Sequence, residues 1–140
     1  MKTENRRAPS NGYSHRHCGE KFQTAITGLV FGIKGGREKQ ALNSFAIHIP
    51  AAVGVVVLGA TLGVGWNSIA MLLLCIGLVM VTELINTSLE LMAKAVTSEA
   101  NDHIGAALDV ASGAVLLASL VASAVGVIVF GRRLVELLGG

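Results

Sequence analysis

Charge and aromatic rings are what this chain has least of. Asp, Glu, Lys and Arg make up 14% of its 140 residues against 52% hydrophobic, with one Trp, one Tyr and four Phe. From Gln40 to Thr82 there is not one Asp, Glu, Lys or Arg. Soluble domains carry about 25% charged residues, so this balance excludes an ordinary soluble fold. In water the uncharged stretch would aggregate; in a bilayer it is what a helical hairpin requires. Cysteine is scarce as well: Cys18 lies in a polar leader and Cys75 inside an apolar run, which supports neither a disulfide framework nor a zinc site. The opening "MKTENRRAPSNGYSHRHCGEKFQ" lacks the apolar core of a signal peptide, so the membrane segments themselves are expected to direct insertion. Residues 1–20 are expected to form a disordered cytoplasmic leader. No internal repeat or low-complexity segment is evident.

Small residues and a lopsided distribution of cations are what the chain does have. Its 17 glycines and many alanines suit close helix contact in lipid, where small side chains let backbones approach. Eight of the eleven Lys and Arg precede Gln40, which places the amino end on the cytoplasmic side, against anionic headgroups. Phe22, Ala25, Ile26, Leu29, Val30 and Ile33 recur at helical spacing between Lys21 and Lys34, the pattern of an amphipathic surface helix over residues 21–34. Residues 45–66, "FAIHIPAAVGVVVLGATLGVGW", would extend about 33 Å as a helix, enough for a first span. Trp66 then reads as an interfacial anchor, and Asn67 or Ser68 as the cap of a second span over 68–96. A polar connection, "TSEANDHIGAA", leads to a third span over 108–130 and a short tail over 132–140. Arg132 and Arg133 would then lie outside, opposed by the larger basic excess at the amino end. The expected fold is an all-α membrane protein with one surface helix and three transmembrane helices per subunit.

One segment departs from the simple anchor pattern. In "VTELINTSLELMAKAV", Val81 to Val96, the residues Glu83, Asn86, Thr87, Glu90 and Lys94 fall within an arc of about 100° on one helix. An ionisable group at mid-bilayer costs about 2.5–3.5 kcal/mol on insertion scales, so partner helices, a cation or water must compensate. A structural reading pairs Glu90 with Lys94 one turn on and lets Asn86 bridge helices; Glu83 has no cation one turn away. A functional reading uses one carboxylate to hold a divalent cation on polyphosphate oxygens and the other to take a proton from an alcohol. That chemistry is phosphoryl transfer to a lipid hydroxyl, although proton or cation transport would fit the same spacing. "GIKGGREK", Gly32 to Lys39, lacks the Gly-Lys-Ser/Thr ending of a phosphate loop and reads as a connector. His15, His17, His48 and His103 carry no ligand pattern. Arg16 and Lys21 are placed to meet headgroups.

The stretch "ELINTSLE", with the Asp of "LDVASGAVL" nineteen residues after its last Glu, closely resembles the prokaryotic diacylglycerol kinase and undecaprenol kinase family. The likeness runs from Phe22 to Phe130. It implies a small homotrimeric lipid kinase of the bacterial inner membrane that uses magnesium and ATP, with sites between subunits at the cytoplasmic interface and no nucleic-acid partner. By position, Glu83 matches the base that activates the lipid hydroxyl, Asn86 the residue that orients the site, and Glu90 the carboxylate that holds magnesium and ATP. Asp109 and Glu99 match nucleotide-contacting positions, and Ser112 and Arg16 lie where the lipid substrate approaches.

Three departures from the family pattern stand out. Leu108 occupies the place of a phosphate-facing Lys. The family's second metal-binding Glu falls on Gly36 when counted from Gly28 and on Leu42 when counted back from His48, which leaves Glu38 as the neighbouring carboxylate for that role. Lys94 stands where relatives often carry Asp, as though a cation had moved from the third span to the second. The spellings "INTSLE" and "DVASGAVL" lean toward the undecaprenol branch. Three readings follow: a lipid kinase, a catalytically impaired member with a structural or regulatory role, and a small proton or cation transporter.

Overall fold

A computed structural model of the chain describes residues 18–33, 41–96, 99 and 101–139. These form four α-helices: α1 (Cys18–Ile33), α2 (Ala41–Thr61), α3 (Trp66–Val96) and α4 (Asp102–Gly139). The all-helical expectation holds. Two of the helices, α3 and α4, are long and apolar enough to cross a membrane. Their 31 and 38 residues extend about 46 and 57 Å, so each outruns a hydrocarbon core of about 30 Å. In α2 the apolar portion is the shorter Phe45–Thr61.

α3 is the hub, with α1, α2 and α4 all packed on it. Close approach between α2 and α3 comes from a missing side chain: a Cβ on Gly59 would lie 2.8 Å from Ile69 Cδ1. The antiparallel register this sets places Phe45, only 1% exposed, level with Glu83. Between α3 and α4 the register is marked by Ser112 against Asn86, which puts Val115 level with Glu83 and Leu108 level with Glu90. Leu72 and Val79 of α3 and Ala118 and Val129 of α4 complete a thin core. Most other large apolar side chains face outward, Leu74 at 75% and Val127 at 73% exposure among them, as helices solvated by lipid require.

The helix ends follow local chemistry. α2 stops at a Schellman turn: Val64 N–H donates to Gly59 O (3.0 Å), Gly63 N–H donates to Ala60 O (3.2 Å), and Gly63 takes φ of 63°, a conformation only glycine adopts cheaply. Arg133 of α4 then donates from Nε to Leu62 O at 2.7 Å and from Nη1 to Glu136 Oε2 at 3.1 Å. A carbonyl left over at the negative end of α2 is thus met by a cation from another helix. α3 starts at Trp66, which is 88% exposed, so Asn67 and Ser68 lie inside the helix instead of capping it. α4 begins six residues before the span expected to start at 108, because Asn101 Oδ1 accepts from His103 N (3.0 Å) and Ile104 N (3.2 Å). It also continues through Arg132 to Gly139, where a short tail was expected.

Candidate functional site

Residues on one face of α3 form the site. Of the five, Glu83 (3% exposed), Thr87 (5%) and Asn86 (7%) are buried, Glu90 is half-buried and Lys94 is exposed, so the stripe runs outward from the packed interior to the helix end. α1 packs on α3 beside Glu83. The C-terminal turn of α1 comes against its neighbour Leu84, with a Cβ on Gly32 falling 2.6 Å from Leu84 Cδ2. Continued from Gly59 against Ile69 and from Ser112 against Asn86, the antiparallel registers bring Phe45 of α2 and Val115 of α4 to the level of Glu83.

Asn86 uses both ends of its amide. Its Nδ2 donates to Glu90 Oε1 at 2.9 Å, and Ser112 Oγ donates to its Oδ1 at 3.5 Å across the α3–α4 interface. The first bond is the stronger, being short and made to a carboxylate; the second is at the outer limit of a hydrogen bond. Together they orient the amide so that its donor faces Glu90. The nearby hydroxyls of Thr82 and Ser88 donate to carbonyls of their own helix, Leu78 O at 3.0 Å and Leu84 O at 2.8 Å.

Two further expected site residues are exposed. Asp109 lies on α4 one turn before Ser112 and is exposed, and Glu99 is exposed in the connection between α3 and α4. Arg16 and Glu38 lie outside the described residues, as does Gly36. Leu42 lies in the first turn of α2. Among the described residues no three His, Cys, Asp or Glu side chains gather so as to hold a metal ion. The arrangement nevertheless fits magnesium, which usually takes one or two carboxylates together with substrate phosphates and water instead of an all-protein cage. Glu90, held through a single oxygen by Asn86, suits a cation that arrives on a polyphosphate.

An apolar cavity of about 480 Å³ opens between α2 and α4 over α3, one turn from Glu83 on the side away from Glu90. His48, Ala52, Cys75, Val79, Ser119 and Phe130 are among its lining residues. Ser119 Oγ is buried there without a hydrogen-bond partner.

Spacing alone did not point to the burial of Phe45 or to the approach of Gly32 to Leu84. Both read as ordinary members of apolar helices, and only the approach of Gly32 to Leu84 in space shows how α1 meets α3. Gly32 carried one faint signal, a glycine inside a helical pattern, which costs stability and usually has a packing reason.

The chain matches the family model for prokaryotic diacylglycerol kinase over residues 23–130. No curated protein and no solved structure matches it. The match takes in α3, its polar face, the α3–α4 connection and most of α4, and it spans well over half of the sequence. The chain therefore belongs to the prokaryotic diacylglycerol kinase family, a family of membrane lipid kinases.

Proposed function

We propose that the protein phosphorylates a membrane lipid alcohol, diacylglycerol or undecaprenol, at the cytoplasmic face of the bacterial inner membrane. The observation that carries this reading is a buried carboxylate, Glu83, between the Asn86–Glu90 pair on one side and an apolar cavity on the other. Glu83 accepts the proton of the acceptor hydroxyl as that oxygen bonds to the γ-phosphorus and the bond from that phosphorus to the β–γ bridging oxygen breaks, releasing ADP, while the aliphatic chain of the acceptor lies in the cavity. Asn86 orients Glu90, and Glu90 holds the cation of the nucleotide. Magnesium and ATP, when bound, supply the transferable phosphoryl group and neutralise charge on its oxygens. Asp109 and Glu99 flank the nucleotide, and Arg16, Ser112 and Glu83 meet the lipid. Glu38, near the position of the family's second metal ligand, completes the metal set.

On this reading α2, α3 and α4 all span the membrane, α1 lies on its surface, the amino terminus is cytoplasmic, and three copies associate. Burial of Glu83, at 3% exposure, supports the kinase reading, because a site closed to water limits loss of the phosphoryl group to hydrolysis. Such positioned acid–base groups contribute about 10²–10⁴-fold to rate. With labelled ATP and magnesium, the purified chain is expected to phosphorylate one of the two lipids in mixed micelles. Glu83→Gln should lower that transfer by about 100-fold or more while leaving the helical spectrum unchanged.

One observation favours a second reading, a catalytically impaired member with a structural or regulatory role. Leu108, level with Glu90 on α4, gives a phosphate neither charge nor donor. A folded wild type that transfers no phosphate to either lipid would select it.

A further inference from the structure

Phosphoryl transfer concentrates negative charge, since nucleotide phosphates must approach a site that already holds Glu83 and Glu90. A positive side chain at that end of the helices would offset part of this charge. α4 supplies none at the level of Glu90, where Leu108 stands. Its two arginines, Arg132 and Arg133, lie near the opposite end, and Arg133 is engaged with Leu62 O and Glu136. α3 has a single basic residue, Lys94, in its last turn. It stands one turn beyond Glu90 on the face that carries Glu83 and Asn86, and it is exposed where a nucleotide would enter from water.

We propose that Lys94 binds the nucleotide phosphates, supplying from α3 the cation that α4 lacks at Leu108. This inference rests on the kinase reading for its ligand. Lys94 already interacts with a neighbouring group in the free chain; an ammonium has three donors and can serve that group and a phosphate oxygen together. The competing explanation is structural, because a lysine in the last turn also complements the helix dipole. A helix-end role would move stability and leave nucleotide affinity alone. A phosphate contact does the reverse.

The test uses the full chain in detergent micelles, with equilibrium binding of labelled ATP in magnesium alongside thermal unfolding. Lys94→Gln is expected to weaken ATP binding about tenfold or more, the scale of one hydrogen bond to a charged group, with unfolding little changed. Lys94→Arg should stay within about threefold of wild type, and Leu108→Lys in the Lys94→Gln background should restore part of the affinity, since position 108 also faces Glu90. In the transfer assay the KM for ATP should rise more than kcat falls. Lys94→Gln binding ATP as tightly as wild type overturns the proposal, as does Lys94→Arg falling as far as Lys94→Gln. A wild type that binds ATP but transfers nothing overturns the kinase reading alone, since the affinities still decide the role of Lys94. A wild type that binds no ATP overturns both.

Discussion

At the scale of single residues, the amide of Asn86 does what neither carboxylate can do for itself. It accepts from Ser112 on α4 and donates to Glu90 on its own helix, so the position of Glu90 depends on how α3 and α4 meet. The two bonds differ in strength. Asn86→Ala removes a donor to a carboxylate and is expected to lower kcat/KM about tenfold or more, with a higher magnesium requirement in the transfer assay. Ser112→Ala removes a contact at 3.5 Å and should change the same quantities by no more than about threefold. The polar stripe itself was legible in the sequence, because Glu83, Asn86 and Glu90 interrupt an apolar run at helical intervals and nothing but a site or a buried pair explains them cheaply. The bond from Ser112 was not legible as a bond. It joins residues 26 apart in sequence, and only the register of two helices in space brings them together.

At the scale of elements, contact distances are set by glycines and helix ends by caps. α1 approaches α3 closely because Gly32 has no side chain to meet Leu84. Replacing Gly32 with Ala asks only that the flexible tip of Leu84 turn aside, and it should be tolerated. Gly32→Val adds branched bulk at the same place and should cost about 1–3 kcal/mol, releasing α1 from α3. Faster amide exchange in α1 together with lower transferase activity would mark that release, and Leu84→Ala in the same background should reverse both.

The helix ends show why boundaries were harder to read than elements. Val64 and Gly63 close α2 by a turn whose glycine was visible in sequence. Asn101 was visible too, but the polar run around it looked like a connection until its side chain was found capping His103 and Ile104. Arg133 could not be assigned at all, because its partner is a backbone carbonyl of Leu62, 71 residues away. As a free cation beyond the third span it opposed the expected orientation; as a cap on α2 it has a structural reason to be there.

At the scale of the whole molecule, the described residues of one copy bury a handful of side chains, and broad apolar faces of α2, α3 and α4 are left to lipid or to other copies. Three copies of the 14.5 kDa chain are expected to associate in a mild detergent, seen as a threefold mass by native mass spectrometry. A cysteine placed at Ser10 is expected to react with membrane-impermeant reagents only from the cytoplasmic side of oriented vesicles. A monomeric mass would leave a site confined to a single subunit, contrary to the proposed assembly. The all-helical class could be read from composition and the polar stripe of α3 from one interrupted run, whereas assembly depends on surfaces that a single apolar sequence does not distinguish from lipid-facing ones.

The central claim is that this site still transfers phosphate even though Leu108 stands level with Glu90. It is tested most directly by following label from the γ-phosphate of ATP into the lipid extract of the purified, reconstituted protein, with diacylglycerol and undecaprenol supplied separately and Glu83→Gln as the blank. The account predicts a labelled lipid monophosphate from one acceptor that needs magnesium and is reduced about 100-fold or more by Glu83→Gln. A folded wild type that leaves both lipids unlabelled, or equal labelling by wild type and Glu83→Gln, would contradict it.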